Sequence, residues 1–263
     1  MHLQPRHFNA INLYFGGAIM TDKKLGIIGG MGPLATKVFY EKIINHTVAH
    51  KDQDHIDTII LSHATLPDRT EAILRGEGQS FIDAVRKDIE LLEHAGVANI
   101  AIPCNTSHYF YDEMQAMTNI NIINMIRDTA EYIYHKHGKG SKVGILATNG
   151  TISTGIYEDE CKRNELEPFH PNEETQEKVM NIIYNIKADV NYQPVKLDAL
   201  IHELITKENC ACVILGCTEL SSVTLSEESK KHSIDPMEIL IENAIRLSGK
   251  KSKSSLIDEQ VYI

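Results

Sequence analysis

Two cysteines carry most of the chemical information in this 263-residue chain. Cys104 sits in Ile100-Ala101-Ile102-Pro103-Cys104-Asn105-Thr106, and Cys217 in Cys212-Val213-Ile214-Leu215-Gly216-Cys217-Thr218-Glu219. Each closes a short apolar run and opens a threonine-bearing turn. Such runs read as buried parallel strands, and their C-terminal ends are where open α/β sheets place chemistry. A thiol at the start of the next helix has its thiolate favoured, so its pKa should fall below the free value of about 8.5. Asn105, Thr106, Ser107 and Thr218 offer side chains to cap that helix and to hold a carboxylate. Two thiols delivered from equivalent positions suit one task well, which is handling the two faces of a single carbon.

The other three cysteines have a plainer reading. Cys161 on a helix, and Cys210 and Cys212 on a strand, are small buried hydrophobes. A metal site built from Cys210, Cys212 and Cys217 fails on spacing and lacks a fourth ligand. A redox disulfide between Cys104 and Cys217 is disfavoured because neither belongs to a C-x-x-C motif. His108, four residues after Cys104, is either the partner of a nucleophilic thiol or a structural hydrogen-bonder. Gly30-Met31-Gly32-Pro33-Leu34-Ala35 matches the dinucleotide fingerprint G-x-G-x-x-A, yet the second strand, ending Leu61-Ser62-His63, lacks the acid that would hold a ribose. The favoured alternative is a tight strand-to-helix turn in which glycine permits close backbone approach.

The elements that must position these residues repeat. Lys24-Leu25-Gly26-Ile27-Ile28 followed by Gly32 is echoed by Lys142-Val143-Gly144-Ile145-Leu146 followed by Gly150. Strand signals fall at residues 25–28, 58–61, 99–102, 120–123, 142–146 and 211–215. Helical spacing links Phe81, Ile82, Val85, Ile89 and Leu92, and again Val179, Ile182, Ile183 and Ile186. Strands alternating with helices predict an α/β fold of two pseudo-symmetric Rossmann-like lobes. Each lobe has a mainly parallel sheet flanked by helices, and the active site lies in the cleft between them. The expected first lobe is 22–122 plus 226–250, with the helix from Pro236 returning to it. The second is 123–225, with added helices in 170–196, and 251–263 is a tail.

Composition narrows the class. Hydrophobic residues make up 42% and charged residues 24%, an ordinary globular balance. A net charge of −10 argues against a nucleic-acid partner, and no apolar run is long enough for a membrane helix. An odd cysteine count of five without framework spacing points to a reducing compartment, taken as the cytoplasm. Residues 1–21 read as a non-native or disordered leader with the natural start at Met20, because Asn12-Leu13-Tyr14-Phe15-Gly16-Gly17 looks like a degenerate cleavage linker.

Five motifs in order resemble the aspartate/glutamate racemase superfamily, and within it the aspartate branch. They are Gly26 to Thr36 (with Gly29-Gly30-Met31-Gly32-Pro33), Pro67-Asp68-Arg69-Thr70, Pro103-Cys104-Asn105-Thr106-Ser107-His108, Ala147-Thr148-Asn149-Gly150-Thr151 and Gly216-Cys217-Thr218-Glu219-Leu220. Glu219 is the aspartate-branch feature, since glutamate racemases usually carry His there. The resemblance implies cofactor-independent, PLP-independent interconversion of L- and D-aspartate, with Cys104 and Cys217 as the two bases and no metal. It also implies a homodimer. Arg69 and Lys187, the latter in Ile183-Tyr184-Asn185-Ile186-Lys187, are implied substrate binders, and Met31, Gly32, Asn105, Thr106, Thr148, Thr218 and Glu219 complete the expected site. Ala188 and Ser107 depart from the family's usual glycine and alanine, which bears on substrate choice. Alternatives are a glutamate or broad-specificity racemase, a maleate-type cysteine-dependent isomerase of the same superfamily, and a non-catalytic amino-acid-binding protein.

Overall fold

Runs of β-branched and aliphatic residues form the centre of two separate sheets, and amphipathic helices cover their faces. The computed structural model describes residues 23–189 and 191–253. In the first half β1 (Leu25–Gly29), β2 (Thr58–Ser62), β3 (Asn99–Ala101) and β4 (Asn121–Ile122) pair in the order β2-β1-β3-β4. In the second, β5 (Lys142–Ala147), β6 (Glu167–Phe169), β7 (Cys212–Gly216) and β8 (Ser233–Ile234) pair in the order β6-β5-β7-β8. Every pairing is parallel.

The helices follow from these connections. After β1 comes α1 (Pro33–His46); between β2 and β3 lie α2 (Arg69–Arg75) and α3 (Gln79–His94); α4 (Tyr111–Gln115) precedes β4. The halves are joined by α5 (Met125–His137). The second half then places α6 (Asn149–Thr154) and α7 (Ile156–Arg163) after β5, and α8 (Glu173–Ala188) and α9 (Val195–Thr206) after β6. It finishes with α10 (Glu227–His232) and α11 (Pro236–Leu247) on either side of β8.

Register makes the repeat quantitative. Leu25 of β1 pairs with Asn99 of β3, and its counterpart Val143 of β5 pairs with Cys212 of β7. From those partners the offset to the thiol is the same in both halves, 99 to 104 and 212 to 217. Strand order reverses between β1 and β3, and again between β5 and β7. Ligand crevices open at such switch points, outside the carboxyl ends of the strands.

Two strands carried no sequence signal. Pro168 interrupts β6, which is tolerated because β6 is an edge strand and lacks a neighbour on one side. β8 is only two residues long, too short for any alternation. Its pairing with β7 corrects the expected division of the chain. Residues 226–235 belong with the second sheet, since β8 hydrogen-bonds β7 and α10 packs on α9. α11 returns to the first half, and so does the chain just after it, where Ser252 bridges Thr47 and Lys251 accepts from the Val48 N–H.

That helix is buried over most of its surface, through the apolar Met237, Ile239, Leu240, Ile241, Ala244 and Ile245 and the polar Glu242 and Asn243. It packs against both α1 and α5. One apolar cluster there unites Leu25, Ile27, Phe39 and Ile126 with Ile145, Ile214, Met237 and Ile241, so the two lobes share a core along this seam. Two further clusters fill the outer faces of the separate sheets. Polar groups also cross the seam: Lys42 Nζ meets Glu238 Oε1 at 2.6 Å, and Asn243 Nδ2 donates to Asp128 Oδ2 at 2.6 Å. No helix among the described residues is long and apolar enough to cross a membrane. The expected leader and residues 254–263 of the tail lie outside the described residues.

Candidate active site

Four switch-point loops converge on one cavity. The loop after β1 brings Met31, that after β3 brings Cys104, Asn105 and Thr106, that after β5 brings Thr148, and that after β7 brings Cys217, Thr218 and Glu219. Equivalent helices add Arg69 from α2 and Lys187 from α8. Gly32 borders the same space, since a Cβ there would stand 3.3 Å from Glu219 Oε1. All eleven expected residues therefore meet. Asp68 and Thr70, which flank Arg69 in its motif, join them unforeseen.

The cavity is tightly closed. Its free space is about 20 Å³, on the order of a single water. Beside the cavity α2 packs on α6, where a Cβ on Gly150 would stand 2.8 Å from the Thr70 Cα. Only glycine allows that approach. Beneath the contact, Thr106 Oγ1 lies 3.0 Å from Thr148 Oγ1 and 2.9 Å from Thr151 Oγ1, a triangle of hydroxyls spanning the two lobes.

The turns after the cysteines differ from expectation. Thr106–Phe110 and Leu220–Ser222 are short 3₁₀ helices, and neither receives a side-chain cap from Asn105 or Glu219 at its start. Asn105 Oδ1 instead accepts from the hydroxyl of Tyr157, a fully buried residue of α7. No local pattern pointed to Tyr157, because a tyrosine at one buried helix position looks like any core aromatic. Asn105 Nδ2 and Arg69 Nε are buried without a hydrogen-bond partner. Arg69 otherwise spends Nη1 on the Pro67 carbonyl at 2.9 Å. Each orphaned donor costs about 1–3 kcal/mol, which an incoming oxyanion would recover.

Electrostatics separates the two thiols. Cys217 Sγ donates to Glu219 Oε2 at 2.9 Å. Burial, reinforced by the Glu219 charge and this hydrogen bond, pushes the Cys217 thiol well above its ordinary range, with Lys187 opposing. The expected lowering by a helix N-terminus is overturned there, because desolvation of a thiolate outweighs a two- or three-residue turn. Burial pulls the Lys187 ammonium down, but Glu219, Cys217, Cys104 and Asp68 together outweigh it and the net shift is upward. Lys187 is exposed as a residue and also lines the cavity.

His108 is structural. Its Nδ1 lies 2.9 Å from the Cys104 carbonyl, and its Nε2 accepts from the Met125 N–H at 3.4 Å, tying the Cys104 turn to the start of α5. Burial lowers its pKa and holds it neutral. Cys161 and Cys212 are driven up to about 12 by burial, and Cys210, which precedes β7 rather than lying on it, to about 11. All five cysteines are free thiols. Thr36 occupies the glycine turn, accepting from the Gly30 N–H at 2.8 Å, which fits the tight-turn reading of that loop. Among the described residues no cluster of three or more His, Cys, Asp or Glu groups could hold a metal. A roomier cavity of about 320 Å³ between α1, α5 and the chain after Cys217 holds lysines but no cysteine.

Comparison with known proteins agrees with this fold. The family described as Asp/Glu/hydantoin racemase matches residues 28–244. The broad-specificity amino-acid racemase RacX of Bacillus subtilis is 30% identical over 227 residues, covering 84% of this chain and 96% of that protein. The structure of Picrophilus torridus aspartate racemase superposes with a TM-score of 0.76 at 31% identity, covering 89% of this chain and 97% of that one. An aspartate racemase homologue from Pyrococcus horikoshii gives a TM-score of 0.70 at 26% identity, over 86% and 99% of the two chains.

Proposed function

Because the chain belongs to the Asp/Glu/hydantoin racemase family, we propose that it interconverts L- and D-aspartate by a two-base mechanism that needs no cofactor. The observation that carries this reading is the meeting of Cys104 and Cys217 in one cavity beside two unpartnered donors, Arg69 Nε and Asn105 Nδ2. A thiolate on one side removes the Cα proton, and the thiol on the other side protonates the opposite face. The enzyme then ends with the roles of the two sulfurs exchanged. Charge developing on the α-carboxylate in the transition state strengthens hydrogen bonds from fixed donors in a water-poor site.

Glu219 holds the Cys217 proton in place. With the thiol donating to its Oε2, Cys217 rests as the proton donor of the pair, and the Lys187 ammonium offsets the carboxylate charge. Arg69 offers a planar fork and Lys187 a point charge, a pair suited to a substrate with two carboxylates. The cavity has room for about one water, and substrate enters as α2 parts from α6. Closure then expels water around the reacting carbon.

Similarity to RacX favours a second reading, a wider range of amino acids. Both readings meet one experiment. The purified protein is incubated without cofactor in deuterated water with L-aspartate, L-glutamate and a panel of neutral amino acids. Inversion and Cα deuteration are followed together. The expected result is D-aspartate carrying Cα deuterium, formed faster than any other product. Comparable rates across the panel would replace aspartate with broad specificity. Folded, reduced protein that neither exchanges nor inverts any of them would remove the racemase reading.

A further inference from the structure

We infer that Tyr157 is a positioning residue that orients the Asn105 amide toward the reacting substrate and braces the turns carrying both thiols. The inference rests on the racemase reading and adds a residue that none of the sequence motifs contains. Tyr157 is 1% exposed and projects from α7 of the second lobe. Its hydroxyl donates across the cleft to Oδ1 of Asn105, the residue next to Cys104 in the first lobe. Its ring lies against the other turn: a Cβ on Gly216, next to Cys217, would come within 3.2 Å of Tyr157 Cε2. One rigid side chain thus touches the neighbour of each thiol.

Direction follows from donor and acceptor inventory. An amide has one acceptor end and one donor end. With Oδ1 engaged by Tyr157, Nδ2 is left buried and unpartnered on a residue that lines the cavity. Burial holds the phenol well above its ordinary range, so it remains a donor throughout the working range. Without that hydroxyl the amide is free to turn over and present its oxygen to a carboxylate, which replaces attraction with repulsion. A ring packed only for its volume would not depend on the hydroxyl.

The test is a double-mutant cycle on Tyr157→Phe and Asn105→Ala, read as kcat/KM for L-aspartate and as the Kd for succinate, a dicarboxylate without a racemisable carbon. Tyr157→Phe keeps the ring and should lower kcat/KM about tenfold with a melting temperature near wild type. Asn105→Ala should lower it at least as much, and the double variant should be no worse than Asn105→Ala alone. Multiplying losses, or a wild-type-like Tyr157→Phe, would overturn the inference. Should Tyr157→Phe melt early, Asn105→Asp is the second probe: it preserves the acceptor for Tyr157 and should weaken succinate binding. Unchanged binding there would also overturn it. If wild type racemises nothing yet binds succinate, the reaction falls while the succinate cycle still decides the role of Tyr157. A wild type that does neither removes both.

Discussion

Cys104 and Cys217 occupy the same place in two copies of one topology, and their surroundings differ at the residue two positions on. After Cys104 that residue is Thr106, whose hydroxyl is tied to Thr148 and Thr151 of the other lobe. After Cys217 it is Glu219, whose carboxylate accepts from the thiol itself. Strand order and register put the two sulfurs in equivalent positions; one side chain then decides how each gives up its proton. A reaction that must run in both directions across a carbon tolerates this asymmetry, because each direction uses both sulfurs in opposite roles.

The harshest way to break the comparison is to remove one sulfur at a time. Cys104→Ala and Cys217→Ala should each reduce racemisation by about a thousandfold or more, the upper range for a positioned acid or base. Each variant should keep Cα exchange with solvent for one enantiomer, and the two variants should prefer opposite hands. Chiral separation with mass detection of deuterium reads both. Exchange of the same enantiomer in both variants would show that the sulfurs do not face each other across the substrate.

A finer probe addresses Glu219. Burial is the largest cause of the raised Cys217 thiol, and the Glu219 charge and hydrogen bond add to it. Glu219→Gln should therefore bring the thiol partly back toward its ordinary value, with racemisation reduced. At pH 8 alkylation of Cys217 by iodoacetamide should quicken by up to about tenfold, the equivalent of one pH unit. Cys104 in the same sample is the control. Equal acceleration at both sites would mean that the substitution merely opens the cleft.

The smallest effect concerns the helices that follow each sheet, α5 after β4 and α11 after β8, which meet through Asp128 and Asn243. Burial raises Asp128 from 3.8 to about 6 in the folded chain, despite the Asn243 hydrogen bond. A raised carboxyl favours the fold when protonated. Its contribution is full below the unfolded value and is lost as pH rises through about 6. Asp128→Asn should be more stable than wild type at pH 7.5, by no more than about 3 kcal/mol, with the gain absent near pH 4. Urea unfolding at the two pH values measures this. A gain independent of pH would assign the change to packing. Asp235, likewise raised to about 6 by burial, leaves part of the pH slope in place.

What could be read in advance follows from the range of the signals. β1, β5 and β7 are buried on both faces, so their apolar runs announce themselves. β6 hides behind Pro168 and β8 behind its brevity. Cys104, Arg69 and Cys217 stand in local motifs, whereas Tyr157 matters only because the folded chain brings it beside Asn105. The Cys217 shift runs against its local signal for a related reason. Chain neighbours reveal a turn and its dipole, but the desolvation that dominates comes from residues distant in sequence.

The seam helix has a consequence for the order in which the chain is made. α1 and α5 emerge early during synthesis, yet the face that covers them belongs to α11, which follows every strand of both sheets. Until α11 docks, Phe39, Ile126 and Ile133 have an uncovered flank, the kind of surface that invites association between nascent chains. Neither half can finish its core alone, and the two lobes mature in the same final step.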